Sequence, residues 1–434
     1  MKTLLRRLAD AAPVRVFTVA GIGAREAVQD LRLDPRVRVV ASPRQGNLLL
    51  LAGGLTEALR TAAVAAHDAM PPPRGVVMWT HNREAPTGTA IPGAVVATGP
   101  EIVATLVTTH RALLSGERDS TPPVQPDVDP APWRGEGPYG QGGSGMTGGV
   151  PYGRPMATRE DDRDGLSLDA LPVPVGPLFS GFPDGLTARV TFKGDLVHRF
   201  ELGPNPFVTA ATTRADDPFI RALEERVAIA VLEQARARAL LRWTADALRL
   251  HGLDALAVRV LSLAGRAGPE HVATVRRLRR WITRSVVTGW QTRRVGHLET
   301  TQLVGLGAGP VSRAAGVSED LRADDPVYQR LGFVPIRSSD GDVAARWQQR
   351  LIEAEQALEL AGRAGELVTG GQGEIESPRG RLALDDSPTG RLLELVPDLV
   401  TGVEWGDAVA TLASLDLDLP EVAAVTTVPT GRPR

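Results

Sequence analysis

Short, nearly unbroken apolar runs alternate with amphipathic stretches over the first quarter of the chain. Residues 14–20, 37–41, 47–52 and 75–79 are apolar runs of strand length, whereas 24–31, 55–70 and 102–114 carry apolar residues at helical spacing. Strand-length runs separated by helices predict an open parallel sheet with helices on both faces.

The pattern then breaks: Gly and Pro make up 17 of the 40 residues from 121 to 160, including Gln141-Gly-Gly-Ser-Gly-Met146-Thr-Gly-Gly. Such a stretch predicts an extended arm and divides the chain into an α/β domain over 1–118, an arm over 119–165 and a larger domain over 166–434. In the larger domain, 186–192 and 196–201 read as a β-hairpin turning at Gly194. Asp217-Pro218 then caps a helical run over 219–251 that stops at Gly252. Helices follow over 254–264, 270–290 and 342–364, and short strands return after Gly373. The larger domain is thus α+β and mainly helical.

Composition narrows the chemistry. The 434-residue chain contains no cysteine, which excludes disulfides, Cys-ligated zinc, thiolate-held iron–sulfur clusters and a cysteine nucleophile. Lys and Arg total 49 against 51 Asp and Glu, a balance that argues against a nucleic-acid partner. No apolar run reaches the length of a membrane span, and the apolar part of the start is too short for a signal peptide, so a cytoplasmic location is expected.

Several motifs carry weaker signals. Gly21-Ile-Gly23 follows a strand and precedes a helix, as a dinucleotide-binding turn does, but Glu26 stands where the third glycine belongs and no clean ribose-binding acid follows; a tight strand-to-helix turn is the preferred reading. His67, His81, His110, His198, His251, His271 and His297 are too dispersed for a helical His-x-x-x-His metal pair. Arg276-Arg277-Leu-Arg279-Arg280-Trp281, with Arg284, Arg293 and Arg294, is the densest basic run. Val275, Leu278, Ile282 and Val286 make it a helix with one buried face under a basic one, solvated or turned to an acidic protein or lipid.

More specific is Ala308-Gly309-Pro310-Val-Ser-Arg313-Ala-Ala-Gly316-Val-Ser-Glu-Asp320-Leu-Arg322. It resembles the Gly-Pro-x-x-Arg-x-x-Gly-x-x-x-Asp-x-Arg stretch of the large (D) subunit of respiratory complex I (NADH-quinone oxidoreductase) and of its nickel–iron hydrogenase relatives. Gly341-Asp342-Val-Ala-Ala-Arg346 with Arg350, Glu374-Ile-Glu376-Ser-Pro378-Arg379-Gly380 and Ala413-Ser414-Leu415-Asp416 follow in the family's order. The front is similar to the partner small (B) subunit, through Ala41-Ser42-Pro43-Arg44-Gln45, Ala52-Gly53-Gly54-Leu55-Thr56 and Ala69-Met70-Pro71-Pro72-Pro73. The resemblance implies a fusion of a flavodoxin-like small-subunit α/β domain with an α+β, mainly helical, large-subunit-like domain.

The departures from the family bear on function. Ile22-Gly23, Thr80 or His81, and Gly99 fall where the small subunit carries cluster cysteines, and the nickel-binding cysteine pairs of hydrogenase relatives are missing. Quinone-reactive relatives also use a histidine in a hairpin that here reads Gly176-Pro177-Leu178-Phe179-Ser180-Gly181-Phe182, and a tyrosine from a region where this chain has none. The resemblance therefore implies a scaffold without metal or redox cofactors: a structural or coupling subunit, peripheral on the cytoplasmic face of a membrane complex. Antiporter-like proton or cation channel subunits and other complex I-like subunits are the expected partners. Arg313, Asp320, Arg322, Asp342, Arg346 and Arg379 are the family-matched polar positions, read as a buried Arg/carboxylate network or as a polar path or membrane-subunit contact, and Phe179 and Phe182 are candidate contacts to a membrane subunit. The rival expectations are a quinone- or small-molecule-binding subunit of an oxidoreductase with redox centres on other chains, and a soluble adaptor.

Overall fold

The computed structural model describes residues 12–80, 91–126, 158–161, 167–208, 217–284 and 291–426. Its first part contains β1 (Val14–Ala20), α1 (Arg25–Asp30), β2 (Val37–Val39), β3 (Leu48–Ala52), α2 (Glu57–Asp68), β4 (Gly75–Thr80), β5 (Val95–Thr98) and α3 (Ile102–Ser115). The strands form one parallel sheet in the order β2-β1-β3-β4-β5, which places the change of direction between β1 and β3. Both faces of this sheet are covered, so its central strands are apolar throughout instead of alternating. Leu48 and Leu50 of β3 pack with Val28, Ile102 and Leu106 of α1 and α3. Leu49 and Leu51 point to the other face, where Leu59 and Ala63 of α2 meet Phe182, Val311 and Leu412 from the second part of the chain. The two parts therefore share a hydrophobic core, which extends well beyond a tethered contact.

The second part opens with an antiparallel sheet of β6 (Thr158–Asp161), β7 (Ser167–Val175), β8 (Ala188–Lys193) and β9 (Leu196–Leu202) in sequential order. Gly194, at φ +61°, makes the turn between β8 and β9, a conformation that costs glycine nothing. Strand β6 lies inside the segment read as an arm, and residues 127–157 and 162–166 of that segment lie outside the described residues.

The helix expected over 219–251 is interrupted. It consists of α4 (Pro218–Glu224), a strand β10 (Arg226–Ala228), and α5 (Ile229–Leu250). Helical periodicity runs through the break, but Arg226, Val227 and Ala228 pair antiparallel with a later strand, and that ladder satisfies the backbone that the helix would otherwise have held. Next come α6 (Asp254–Gly265), α7 (Val272–Arg284), α8 (Thr300–Leu303), α9 (Gly309–Ala314), α10 (Pro326–Arg330) and α11 (Val343–Arg363). Residues 285–290 of the expected 270–290 helix are outside the described residues. The chain continues with β11 (Val368–Gly370), which partners β10, then the hairpin β12 (Glu374–Ser377) and β13 (Gly380–Ala383), and α12 (Pro388–Val400), α13 (Trp405–Leu415) and α14 (Leu419–Thr426). Helices α5, α6, α7 and α11 bury Leu240, Leu241, Leu261, Val275, Leu351 and Leu358 in a bundle core. The molecule is thus a parallel α/β sheet joined to a mainly helical α+β part. Among the described residues no helix is long and apolar enough to cross a membrane.

Candidate functional site

The four quoted motifs converge on α11. Arg313, from α9, donates Nε and Nη2 to the two oxygens of Glu353 on α11 at 2.7 and 2.8 Å. Its Nη1 reaches Glu376 Oε1 at 2.8 Å and lies 2.9 Å from Asp320 Oδ2. Arg322 grips Asp320 through Nε and Nη2 at 3.0 and 2.8 Å and places Nη1 3.2 Å from Glu233 Oε2. Glu233 also accepts the Tyr328 hydroxyl at 2.7 Å and pairs with Arg236 at 3.3 Å. Arg236 in turn donates to the carbonyls of Ser377 at 2.7 Å and Glu376 at 2.5 Å. Three guanidinium groups and four carboxylates are therefore sealed together, all buried, with an excess of one negative charge when every group is ionised.

Burial and pairing oppose each other here, and the outcome differs by residue. Burial disfavours the charged form of Asp320, but Arg322 and Arg313 outweigh it and hold the carboxyl well below its usual range. Glu353 is likewise lowered against its burial by Arg313. Glu376 goes the other way: burial, reinforced by the charge on Asp320, pushes it up to about 6. Burial first, and the neighbouring charge second, thus make Glu376 readier to take a proton than Asp320 or Glu353.

Glycines let the motif backbones touch. A Cβ on Gly309 would lie 2.6 Å from the Arg379 carbonyl, and one on Gly380, at φ +132°, would lie 2.1 Å from the Gly307 carbonyl. This close approach allows Arg381 N–H to donate to Gly307 at 2.8 Å and fixes the hairpin bearing Glu376 against the helix bearing Arg313.

The other matched residues stand outside this network. Asp342 caps α11, accepting Ala345 N–H at 2.8 Å and Arg294 N–H at 2.8 Å. Arg346 has no carboxylate in contact among the described residues; its guanidinium donates to Ser414 Oγ and to the Gly341 and Gly296 carbonyls, each at 2.8 Å. Burial, with Arg350 nearby, pushes it down to about 9. Arg379 lies 3.1 Å from Asp418, 3.5 Å from Glu421 and 3.6 Å from Asp416. Sequence reasoning misses Glu233, Arg236, Glu353, Asp418 and Glu421. A usable signal is present on α11, where Arg346, Arg350 and Glu353 recur at helical spacing on a buried stripe.

A cavity of about 410 Å³ opens between the two parts of the chain, lined among others by Phe17, Arg25, Arg32, Phe182, Trp243 and Asp416. Its walls are held by contacts across the two parts. Arg242 forks onto Asp30 at 2.9 and 3.1 Å, and Gln29 donates to Asp246 at 2.5 Å. Among the described residues the lining includes no histidine or tyrosine. Phe179 borders both this cavity and a second one of about 420 Å³ walled by Val173, Phe192 and Trp405. Phe182 is not a surface contact. It is 6% exposed, with its ring 5.2 Å from Phe179, 5.6 Å from Trp405 and 6.1 Å from Phe200, because an aromatic ring beside β9 and α13 gains more by burial than by facing outward. Phe179, 38% exposed, remains on the surface.

The positions that the sequence resemblance sets against small-subunit cysteines, Ile22–Gly23, Thr80 and Gly99, lie at the carboxyl ends of β1, β4 and β5, where Ile22 bridges Gly54 and Gly99 accepts the Trp79 indole N–H at 3.0 Å. Ile, Gly and Thr supply no thiolate, so these positions do not fit an iron–sulfur cluster. A Cβ on Gly21 would lie 2.2 Å from the Gly54 carbonyl, so the glycine-containing turn serves strand packing. The basic run on α7 buries Val275 and Ile282, and Arg276 and Arg279 pair with Glu355 at 2.5 and 3.2 Å, leaving Arg277, Arg280, Trp281 and Arg284 toward solvent. His81, Tyr139, Tyr152 and Val286 lie outside the described residues.

Residues 239–391, which contain α9, α11 and the β12–β13 hairpin, match the family model for the 49 Kd subunit of respiratory-chain NADH dehydrogenase. The D subunit of NADH-quinone oxidoreductase from Desulfotalea psychrophila is 28% identical over 177 residues, covering 32% of this chain and 47% of the relative. The same subunit from Syntrophobacter fumaroxidans is 30% identical over 191 residues, 34% of this chain and 51% of the relative. That from Clostridium beijerinckii is 29% identical over 177 residues, 33% of this chain and 48% of the relative. The chain spans about half the length of these relatives. The central part of the chain is thus similar to the large subunit of complex I.

Proposed function

We propose that the chain is a cofactor-free structural or coupling subunit of a membrane complex related to complex I or membrane-bound hydrogenase. It sits peripherally on the cytoplasmic face and works with antiporter-like proton or cation channel subunits and other complex I-like subunits. The supporting observation is a contrast: the large-subunit-like region keeps its buried Arg313–Asp320–Arg322 framework, while the positions that hold clusters and nickel in the family offer no thiolate. The front of the chain is read as a small-subunit-like, flavodoxin-like domain, on its motifs and on its 2-1-3-4-5 strand order. Fusion to a large-subunit-like part would fix their ratio at one to one. In this reading Phe179 is part of the face that meets the membrane partner. The test is Phe179→Asp, which places charge on that face at a ring already 38% exposed, with thermal melting as the check that the contacts of Phe182 and Trp405 survive. Recovery in the membrane fraction should fall with the thermal midpoint unchanged; undiminished recovery would refute docking through Phe179.

A second reading is favoured by one observation, the cavity of about 410 Å³ between the two parts, within the size range of small-molecule pockets. In it the chain binds a quinone or another small molecule as part of an oxidoreductase whose redox centres lie on other chains.

A further inference from the structure

The charges around the inter-part cavity are unevenly satisfied. Its carboxylates are committed: Asp184 lies 3.2 Å from Arg25, Asp246 accepts Gln29 at 2.5 Å and Asp416 lies 3.6 Å from Arg379. One guanidinium group in the same lining is not, and a second is held only at long range. Arg32 makes no hydrogen bond or ion pair among the described residues, and its Nε is closed off from solvent without an acceptor. Arg249 forms ion pairs with Asp246 and Asp254 at 3.7 and 3.8 Å, too long for hydrogen bonds, so its N–H donors remain open to a closer acceptor. Burial and then the like charge of Arg249 push Arg32 down to about 10, although Asp246, Asp184 and Asp254 pull the other way. Buried orphan donors in native folds call for an acceptor. A neutral acceptor would satisfy the N–H but leave the mutual repulsion of the two guanidinium groups in place. An anion removes both costs, and carboxylate and phosphate oxygens match the planar donor fork of arginine. Away from these charges the walls are apolar, with Phe17, Val40, Phe182 and Trp243 facing the same space.

We propose that the cavity binds an amphiphile with an anionic head, a carboxylate or a phosphate monoester, seated on Arg32 and Arg249 with its apolar body against Phe17, Phe182 and Trp243. The proposal deepens the second reading above, that this cavity holds a small molecule, and rests on it.

The test is calorimetric titration of the full chain with decyl phosphate, decanoate, decanol and decylubiquinone, each below its micellar concentration. Decyl phosphate or decanoate should bind at one site, about tenfold or more tighter than decanol, the difference one charge-assisted hydrogen bond supplies. The stronger of the two anions identifies the head group. Arg32→Gln and Arg249→Gln should each weaken the anions by about tenfold and leave decanol unchanged, with thermal melting confirming that both variants fold. Equal binding of decanol and the anions, or anion affinity unmoved in Arg32→Gln, would overturn the anionic assignment while leaving a small-molecule cavity. Tighter binding of decylubiquinone than of either anion would overturn it in favour of a neutral quinone. Binding by none of the probes would overturn both the proposal and the reading it rests on.

Discussion

Replacing Arg313 with Met removes the cation that three buried carboxylates share, while the methionine side chain retains most of the apolar stem. Glu353 loses both of its short bonds at 2.7 and 2.8 Å, and Glu376 and Asp320 lose partners at 2.8 and 2.9 Å. Breaking a buried pair by deleting one partner costs about 3–5 kcal/mol, because the surviving charge is stranded without solvent. The volume-conserving part of the change adds less than about 1.5 kcal/mol. At about 1 °C per kcal/mol for a cooperatively unfolding chain of 434 residues, the thermal midpoint should fall by roughly 5 °C. The assay is urea and thermal unfolding of the full chain near neutral pH, repeated at lower pH. Glu353 and Asp320 are depressed in the folded wild type, so their stabilisation is present above the ordinary carboxylate pKa and is lost as pH falls. In the variant Glu353 lacks that stabilisation from the start, and Asp320, still held by Arg322, loses the part Arg313 supplied. The gap between the two proteins should therefore narrow on acidification. A loss below about 1 kcal/mol, the range of an ordinary surface substitution, would refute a shared buried network. A gap that stays constant with pH would refute its electrostatic origin.

Three further substitutions separate the parts of this account. Glu376, raised to about 6, contributes stability that is complete below the ordinary carboxylate pKa and is lost as pH rises through 6. Glu376→Gln, which keeps an oxygen for Arg313, should flatten the stability profile across that window and raise stability at pH 8 by on the order of 2 kcal/mol, read by urea midpoints. Arg350 is buried with an unpartnered Nε and its guanidinium 4.3 Å from the Trp243 ring centre, so Arg350→Met should be neutral or stabilising by about 1 kcal/mol. A loss of stability on melting as large as that of Arg313→Met would contradict this. Gly380→Ala sets a Cβ 2.1 Å from the Gly307 carbonyl at φ +132° and should cost about 2 kcal/mol or more in chemical denaturation.

The sheet is legible because its strands are apolar runs bounded by turn residues. Val14–Ala20 reads as a strand over the same residues, and Leu48–Ala52 and Gly75–Thr80 to within one. Strand Val95–Thr98 escapes such a reading, being four residues at an edge whose apolar run, Ala94 to Ala97, is shorter than those of the central strands. The break at Arg226–Ala228 is hidden for a different reason. Apolar spacing stays helical through it, and the competing ladder comes from Val368–Gly370, far along the chain. The site divides in the same way. Arg313, Asp320 and Arg322 are found through motif spacing, which is local. Glu233 and Glu353 lie on long helices, where a carboxylate reads as solvated until the fold shows which guanidinium it faces. Phe182 is misplaced from sequence because an apolar residue in a loop gives no sign of whether it packs inward or outward.

The central claim is that this chain is a docked subunit without redox centres of its own. Its most direct test is to purify the full chain, tagged, from mildly solubilised native membranes, identify the co-purifying chains and measure iron and nickel in the isolated protein. The account predicts stoichiometric recovery with antiporter-like and other complex I-like membrane subunits, and no stoichiometric metal in the chain itself. Recovery of the chain alone from the soluble fraction, or an iron or nickel content near one atom per chain, would contradict it.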